Sequence, residues 1–206
     1  MSDPNQDQID YWNGNAGAQW VQDQTVLDAL LEPLSRQVIA AAAVAPRERV
    51  LDVGCGCGTT SGLLAEQAVQ VTGIDISEPM IEHARRRFRD ASDIEFVVAD
   101  ASRWRGGAPY NLAFSRLGVM FFDDPVAAFA NLRGNLDPNG RLCFICWRAP
   151  QDNPWLSIAS GAAEPFLPEL PPSDGPNPFA FADTDFVTSV LTKAGFAQPS
   201  FTLAQA

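Results

Sequence analysis

One stretch constrains this chain more than any other. Val50-Leu51-Asp52-Val53 is a short apolar run, and it stops abruptly at Gly54-Cys55-Gly56-Cys57-Gly58 before Thr59-Thr60 open a helical pattern. Glycine leaves room for a ligand to approach the backbone and permits dihedrals that other residues avoid. A strand, a tight glycine loop and a helix N-terminus together suit a nucleotide-like or charged small molecule. The loop is not a dinucleotide fingerprint, because Thr59 stands where that pattern wants its third glycine.

The regions around the loop alternate between strand and helix. Arg49–Val53, Gln70–Ile76, Ile94–Val98, Asn111–Ser115 and Arg141–Trp147 read as apolar strands, separated by helical patterns from Thr59, Ser77 and Asp124–Pro125. Continuous apolar strands alternating with helices predict a parallel sheet covered on both faces. Before the sheet, Trp20, Leu27, Leu31, Leu34 and Val38 recur at helical spacing. With Pro33 taken as a first-turn residue they predict two helices, 18–31 and 33–44. Ser77 is expected to cap the helix that follows Asp75, and Pro138-Asn139-Gly140 to form a turn. A proline- and aromatic-rich segment follows Arg148, with a short helix expected near 155–163 and a role as a lid or binding loop. Asp183 or Thr184 then caps a last helix through Ala194, with Gly195 as the residue that closes it, and Phe201-Thr202-Leu203 begins a sixth strand.

At 206 residues and 46% hydrophobic, the chain has material for one domain with a full core. Its divisions are a helical cap (1–45), a ligand-binding core (46–148), an insertion (149–182), and a last helix with a partial strand (183–206). A formal charge of −11 argues against a phosphate-tracking surface, so no nucleic-acid partner is expected. The acidic N-terminus lacks a signal-peptide pattern, and the run 38–45 is too short to span a bilayer; a cytoplasmic location follows as the expectation. Cys143 and Cys146 stand in an apolar strand with no second Cys or His pair, so no metal site is expected.

Three acids stand in register with the glycine loop: Asp52 before it, Asp75 ending the second strand and Asp100 ending the third. With them the chain resembles the class I S-adenosylmethionine-dependent methyltransferases. Val50–Thr60 is similar to their first motif, Gly73–Ser77 to the second and Val97–Ala101 to the third. The likeness runs on through Phe114-Ser115-Arg116-Leu117-Gly118-Val119-Met120-Phe121-Phe122, and is greatest to the small-molecule branch that includes ubiquinone/menaquinone-type enzymes.

That resemblance implies a Rossmann-like, doubly wound, mostly parallel α/β sheet, S-adenosylmethionine as cofactor, S-adenosylhomocysteine as product and a small organic methyl acceptor. It implies that the backbone of Gly54, Cys55, Gly56 and Gly58 cradles the methionine part and that Asp75 accepts from both ribose hydroxyls. Ile76 and Met80 would pack on adenine, Asp100 and Ala101 would read its edge, and Ser115 would border the reacting methyl. Asp52 either meets the cofactor amino group indirectly or only orders the loop. Trp12 and Trp20 are either packed aromatics or a lid over the ligand, and Trp20 is taken as a cofactor neighbour. Arg116, at the edge of strand four, either pairs with an acidic substrate or forms a salt bridge with a neighbouring acid. His83, the lone histidine, is not expected to act as a base.

No Asn/Asp-Pro-Pro-Tyr/Phe follows strand four and no Pro-Cys nucleophile appears, which turns the reading away from adenine-N6, glutamine and cytosine-C5 methylation. The family's sixth and seventh strands are incomplete here. Either the sheet is cut short or another chain, such as a second copy in a homodimer, covers the edge of strand five. A non-catalytic cofactor-binding or scaffold protein is the alternative to an enzyme, and a nicotinamide-dependent enzyme stands third.

Overall fold

The computed structural model describes residues 5–68, 70–153 and 177–205. Helices α1 (Gln6–Asn13) and α2 (Asn15–Ala42) lead into β1 (Arg49–Val53), α3 (Thr59–Ala65), β2 (Gln70–Asp75), α4 (Glu78–Arg87) and β3 (Ile94–Val98). Then come β4 (Tyr110–Arg116), a 3-10 turn (Val119–Phe121), α5 (Pro125–Gly134), β5 (Leu136–Ile145), a second 3-10 turn (Pro150–Asp152) and α6 (Thr184–Lys193). Among the described residues the strands form one five-stranded sheet in the order β3-β2-β1-β4-β5, with every neighbouring pair parallel. The chain winds outward from β1 to β3, returns, and winds outward again through β4 to β5. The reversal lies between β1 and β4, where open α/β sheets bind ligands outside the carboxyl ends of their strands.

Alternation along the strands builds both faces. Val50, Val71, Leu112 and Phe114 point to one side, against Leu64 of α3 and Val38, Ile39 and Ala42 of α2. Leu51, Val53 and Ile74 point to the other, against Phe129 and Leu132 of α5 and Val187, Val190 and Leu191 of α6. Burying each such side chain contributes about 1.5–3 kcal/mol. Asp124 caps α5 by accepting from the Ala127 amide at 2.9 Å, and Asp183 caps α6 through the Asp185 and Phe186 amides.

Four local expectations need correction. The two N-terminal helices do not break at Pro33. A short α1 begins at Gln6, and α2 runs unbroken from Asn15 to Ala42 with Pro33 inside it. Pro33 is exposed while Leu34, Val38 and Ile39 on the opposite face are buried, so packing outweighs the lost hydrogen bond. Pro33→Ala should therefore raise the unfolding free energy by about 1–3 kcal/mol, read from urea denaturation. Ser77 precedes α4 but does not cap it with its side chain; its Oγ donates to the Trp12 carbonyl at 2.8 Å instead.

Residues 138–140 do not end one element and start another, since β5 already begins at Leu136 and absorbs them in a register shift against Tyr110 and Leu112. Finally, Phe201–Leu203 is not a strand. Residues 196–205 carry no regular structure, and Gln205 exchanges hydrogen bonds with the Gln37 side chain on α2. The helix expected near 155–163 lies outside the described residues.

Candidate cofactor and acceptor site

The carboxyl ends of the strands open onto a cavity of about 2080 Å³. It exceeds the roughly 300–1,000 Å³ of a single drug-sized pocket because it runs on past those ends along β5 to the tail 196–205. Its floor is the loop Gly54–Cys57, and its walls include Asp75, Ile76, Met80, Asp100, Ala101, Arg116, Trp12, Trp20 and Phe121.

The loop is held by backbone crowding. Gly54 has φ +67°, and a Cβ there would lie 2.9 Å from the Cα of Gly118. The β1 and β4 turns thus touch backbone to backbone. Ser115 completes the joint: its Oγ donates to the Val53 carbonyl at 2.7 Å and accepts from the Gly118 amide at 3.3 Å. Next along, Leu117 carries φ +60°, a left-handed conformation that costs a non-glycine residue about 1–3 kcal/mol and that this joint enforces.

Asp75 ends β2 and ties two loops to itself. Its carboxylate accepts from the Gly56 amide at 2.8 Å and from the Ser77 amide at 2.9 Å. Asp75 lines the cavity, and a carboxylate offers roughly four lone-pair sites, so these two amides do not exhaust its acceptor capacity. Burial raises its pKa more than those amides lower it. Asp100 opens the turn that follows β3. Its Oδ1 accepts from Asn5 Nδ2 at 3.0 Å and from the Ser102 amide at 2.8 Å, and its Oδ2 from Arg103 Nε at 3.0 Å. Burial acts to raise its pKa, but the Ser102 hydroxyl, followed by the Ser102 amide, Arg103 and Asn5, outweighs it and holds the carboxyl below the ordinary value.

Three of the expected cofactor neighbours stand behind the wall rather than on it. Asp52 lies fully buried under the loop, where its Oδ2 accepts from Thr60 Oγ1 and Ser61 Oγ, both at 2.7 Å, at the start of α3. Ser115 is the buried joint just described. At Gly58, φ is +82° and a Cβ would meet the Phe96 ring at 2.7 Å, so this glycine serves helix packing. His83, on α4, is not among the cavity-lining residues.

Burial raises the pKa of Asp52 to about 6, against the lowering effect of the Ser61 and Thr60 hydroxyls and the Arg116 charge; Asp75 adds to the rise. The unfolded carboxyl ionises near about 4. Between those values the native state keeps a proton that the unfolded chain has lost, so Asp52 destabilises the fold as pH rises through that window. The full effect above pH 6 is roughly 3 kcal/mol. Asp52→Asn should thus be more stable than wild type at pH 7.5, and the difference should shrink toward zero at pH 4, as measured by urea unfolding at both pH values.

The N-terminal segment supplies contacts that periodicity could not reveal. Asn13 donates to the Ile76 carbonyl at 2.9 Å and accepts from the Glu78 amide at 2.9 Å, so α1 lies against the β2–α4 turn. Asn5, besides holding Asp100, accepts from the Asp123 amide at 3.0 Å. The Trp12 ring meets Trp20 edge-on at 6.0 Å and Phe121 at 5.7 Å, which makes both tryptophans packed aromatics and cavity walls at once. The signals were the asparagines themselves, polar residues with no helical reason to recur.

A doubly wound parallel sheet with acids at the ends of β1, β2 and β3 around a glycine loop defines the class I S-adenosylmethionine-dependent methyltransferase fold. Residues 50–140 match the family model for a methyltransferase domain. The chain is 31% identical over 133 residues to a trans-aconitate 2-methyltransferase of Klebsiella pneumoniae, covering 61% of this chain and 51% of that protein. It is 35% identical over 120 residues to the aklanonic acid methyltransferase DauC of a Streptomyces species, covering 54% of each. In fold it is similar to phosphoethanolamine N-methyltransferase 1 of Haemonchus contortus, solved with phosphoethanolamine and S-adenosylhomocysteine. The TM-score there is 0.56, at 19% identity, covering 62% of this chain and 30% of that one. The chain spans about half the length of these two curated relatives. Among the described residues no helix is long and apolar enough to cross a membrane.

Proposed function

We propose that this chain binds S-adenosylmethionine across the carboxyl ends of β3, β2 and β1 and transfers its methyl group to a small organic acceptor seated toward β4. The observation that carries this reading is Asp75, whose two oxygens hold the Gly56 and Ser77 amides and still keep acceptor capacity toward the cavity. Bound there, the cofactor would supply an already activated methyl on a sulfonium, open to in-line displacement by an acceptor lone pair.

The chain's own residues have then to position and to exclude water rather than to exchange protons. In this reading Asp75 takes the ribose hydroxyls, Ile76 and Met80 pack on the adenine, and Asp100 and Ala101 meet its edge. The backbone of Gly54, Cys55 and Gly56, whose amides are taken by the Ile74 carbonyl and Asp75, lines the methionine tail, with Trp20 and Trp12 closing over it. Asp52, Gly58 and Ser115 hold the loop in shape from behind. The names of the curated relatives, an aconitate and an aklanonic acid enzyme, support a small acceptor. The same reading places the protein in the cytoplasm and takes the edge of β5, which pairs with no further strand among the described residues, as the face for a second copy of the chain.

The test is direct. Mass spectrometry of the purified protein should find S-adenosylmethionine or S-adenosylhomocysteine, and titration should give micromolar affinity for the latter. A panel of phenols, quinols and carboxylates should then show release of S-adenosylhomocysteine. Failure to bind either nucleoside would overturn the proposal.

A further inference from the structure

We infer that the acceptor carries a carboxylate and that Arg116 is the residue that reads it. This rests on the cofactor reading above and adds the chemistry of the second ligand. Arg116 is the last residue of β4, and its side chain lines the cavity. Strand order places it one strand beyond the glycine loop, because the row runs β3, β2, β1, β4. A cofactor laid over Asp100, Asp75 and the loop therefore ends where Arg116 begins.

The guanidinium is underused. Among the described residues it makes one hydrogen bond, from Nη1 to Ser35 Oγ on α2 at 3.0 Å, and it has no carboxylate within ion-pair distance. Its five N–H donors form a planar fork shaped for bidentate carboxylate. The other arginines around the site are engaged. Arg87 donates to the Cys57 carbonyl, Thr59 and Asp28, and Arg85 clasps the Phe96 carbonyl with two nitrogens. Arg103 holds Asp100, and Arg141 joins Glu48 to the last carbonyls of α2.

The nearest acids do not replace a ligand. Asp28 acts on Arg116 through space while it accepts from Thr59 Oγ1, Arg87 and Gln24. Asp52 is buried beneath the loop with its own hydroxyl donors. Leu31 and Leu34, beside Ser35 on α2, line the same cavity. A cation against an apolar wall binds an anion more strongly than it would in water. A phenol or amine acceptor would leave those donors unanswered; a carboxylate answers them.

Two titrations decide it. The first measures S-adenosylhomocysteine and methylthioadenosine, which lacks the methionine carboxylate, against wild type, Arg116→Gln and Arg116→Lys. The second adds 4-hydroxybenzoate, 4-hydroxybenzamide, trans-aconitate and its trimethyl ester to protein saturated with S-adenosylhomocysteine. The expected result is that wild type binds one or both acids in preference to the neutral partner. Arg116→Gln should lose about tenfold or more for the acid, with nucleoside affinities and neutral-partner binding unchanged, and Arg116→Lys should fall between. Acid binding that is equal in Arg116→Gln, or absent from wild type, overturns the inference. Weaker S-adenosylhomocysteine binding with methylthioadenosine unchanged also overturns it, by assigning Arg116 to the cofactor's own carboxylate. A wild-type protein that binds neither nucleoside removes the cofactor reading first and this one with it. Should Arg116→Gln not fold, Arg116→Lys alone carries the comparison.

Discussion

An Asp75→Ala protein should bind S-adenosylhomocysteine at least a hundredfold more weakly than wild type while unfolding at nearly the same temperature. The two parts have different origins. Asp75 anchors the Gly56 and Ser77 amides, one from each loop flanking the cavity, so its loss frees both as well as removing the acceptor for the ribose. Hydrogen bonds to a charged group contribute about 1.5–3 kcal/mol each, and two of them correspond to roughly a hundredfold or more. Stability responds less because burial disfavours the charged carboxylate and raises the Asp75 pKa, and removing the group relieves that cost against the lost amide contacts. Asp75→Asn should lie between. Calorimetric titration beside thermal unfolding separates these quantities, and an unchanged Kd in Asp75→Ala would remove the residue from the site. Wild-type affinity should also fall as pH drops through the raised pKa, because a protonated carboxyl loses acceptor strength.

Gly54→Ala should damage both binding and stability. An alanine at φ +67° costs about 1–2 kcal/mol, and driving its Cβ to 2.9 Å from Gly118 Cα adds an overpacking cost of about 1–3 kcal/mol. For a chain of this size that is a fall in Tm of roughly 5–15 °C. Gly118→Ala separates the two causes. Gly118 has φ −109°, which any residue adopts, but its Cβ would meet the Val53 carbonyl at 2.9 Å and Gly54 Cα at 3.0 Å. It should lose cofactor affinity as Gly54→Ala does, with a smaller fall in Tm. Wild-type behaviour in Gly118→Ala would show that the joint between the β1 and β4 turns does not hold the loop.

Much of this was open to reading in one dimension. The strands β1 to β4 and the acid at the end of β2 followed from apolar runs that stop at polar residues, because a sheet buried on both faces leaves polar side chains only at its ends. Helix starts at Asp124 and Asp183 followed from local capping chemistry. Pro33 misled because a proline's local cost is visible in the sequence, whereas the packing that overrides it at Leu34 and Val38 is not. The cap at Ser77 and the strand at Phe201 failed for a similar reason. Each depended on a partner that spacing alone does not name: the Trp12 carbonyl for Ser77, and Gln37 for the chain near Phe201.

By itself, then, the sequence determined the alternation of strands and helices, the glycine loop and which carboxylates stand at strand ends, since these depend on residues within a few positions of one another. Only the tertiary structure decided which of them line the cavity. It set Asp52, Gly58 and Ser115 behind the wall, brought Asn5 across 95 positions to Asp100, laid α1 along the β2–α4 turn, and pressed Gly118 onto Gly54. It also left Arg116 with donors to spare at the end of β4, a fact set by which neighbours the fold brings within hydrogen-bond reach and which it does not.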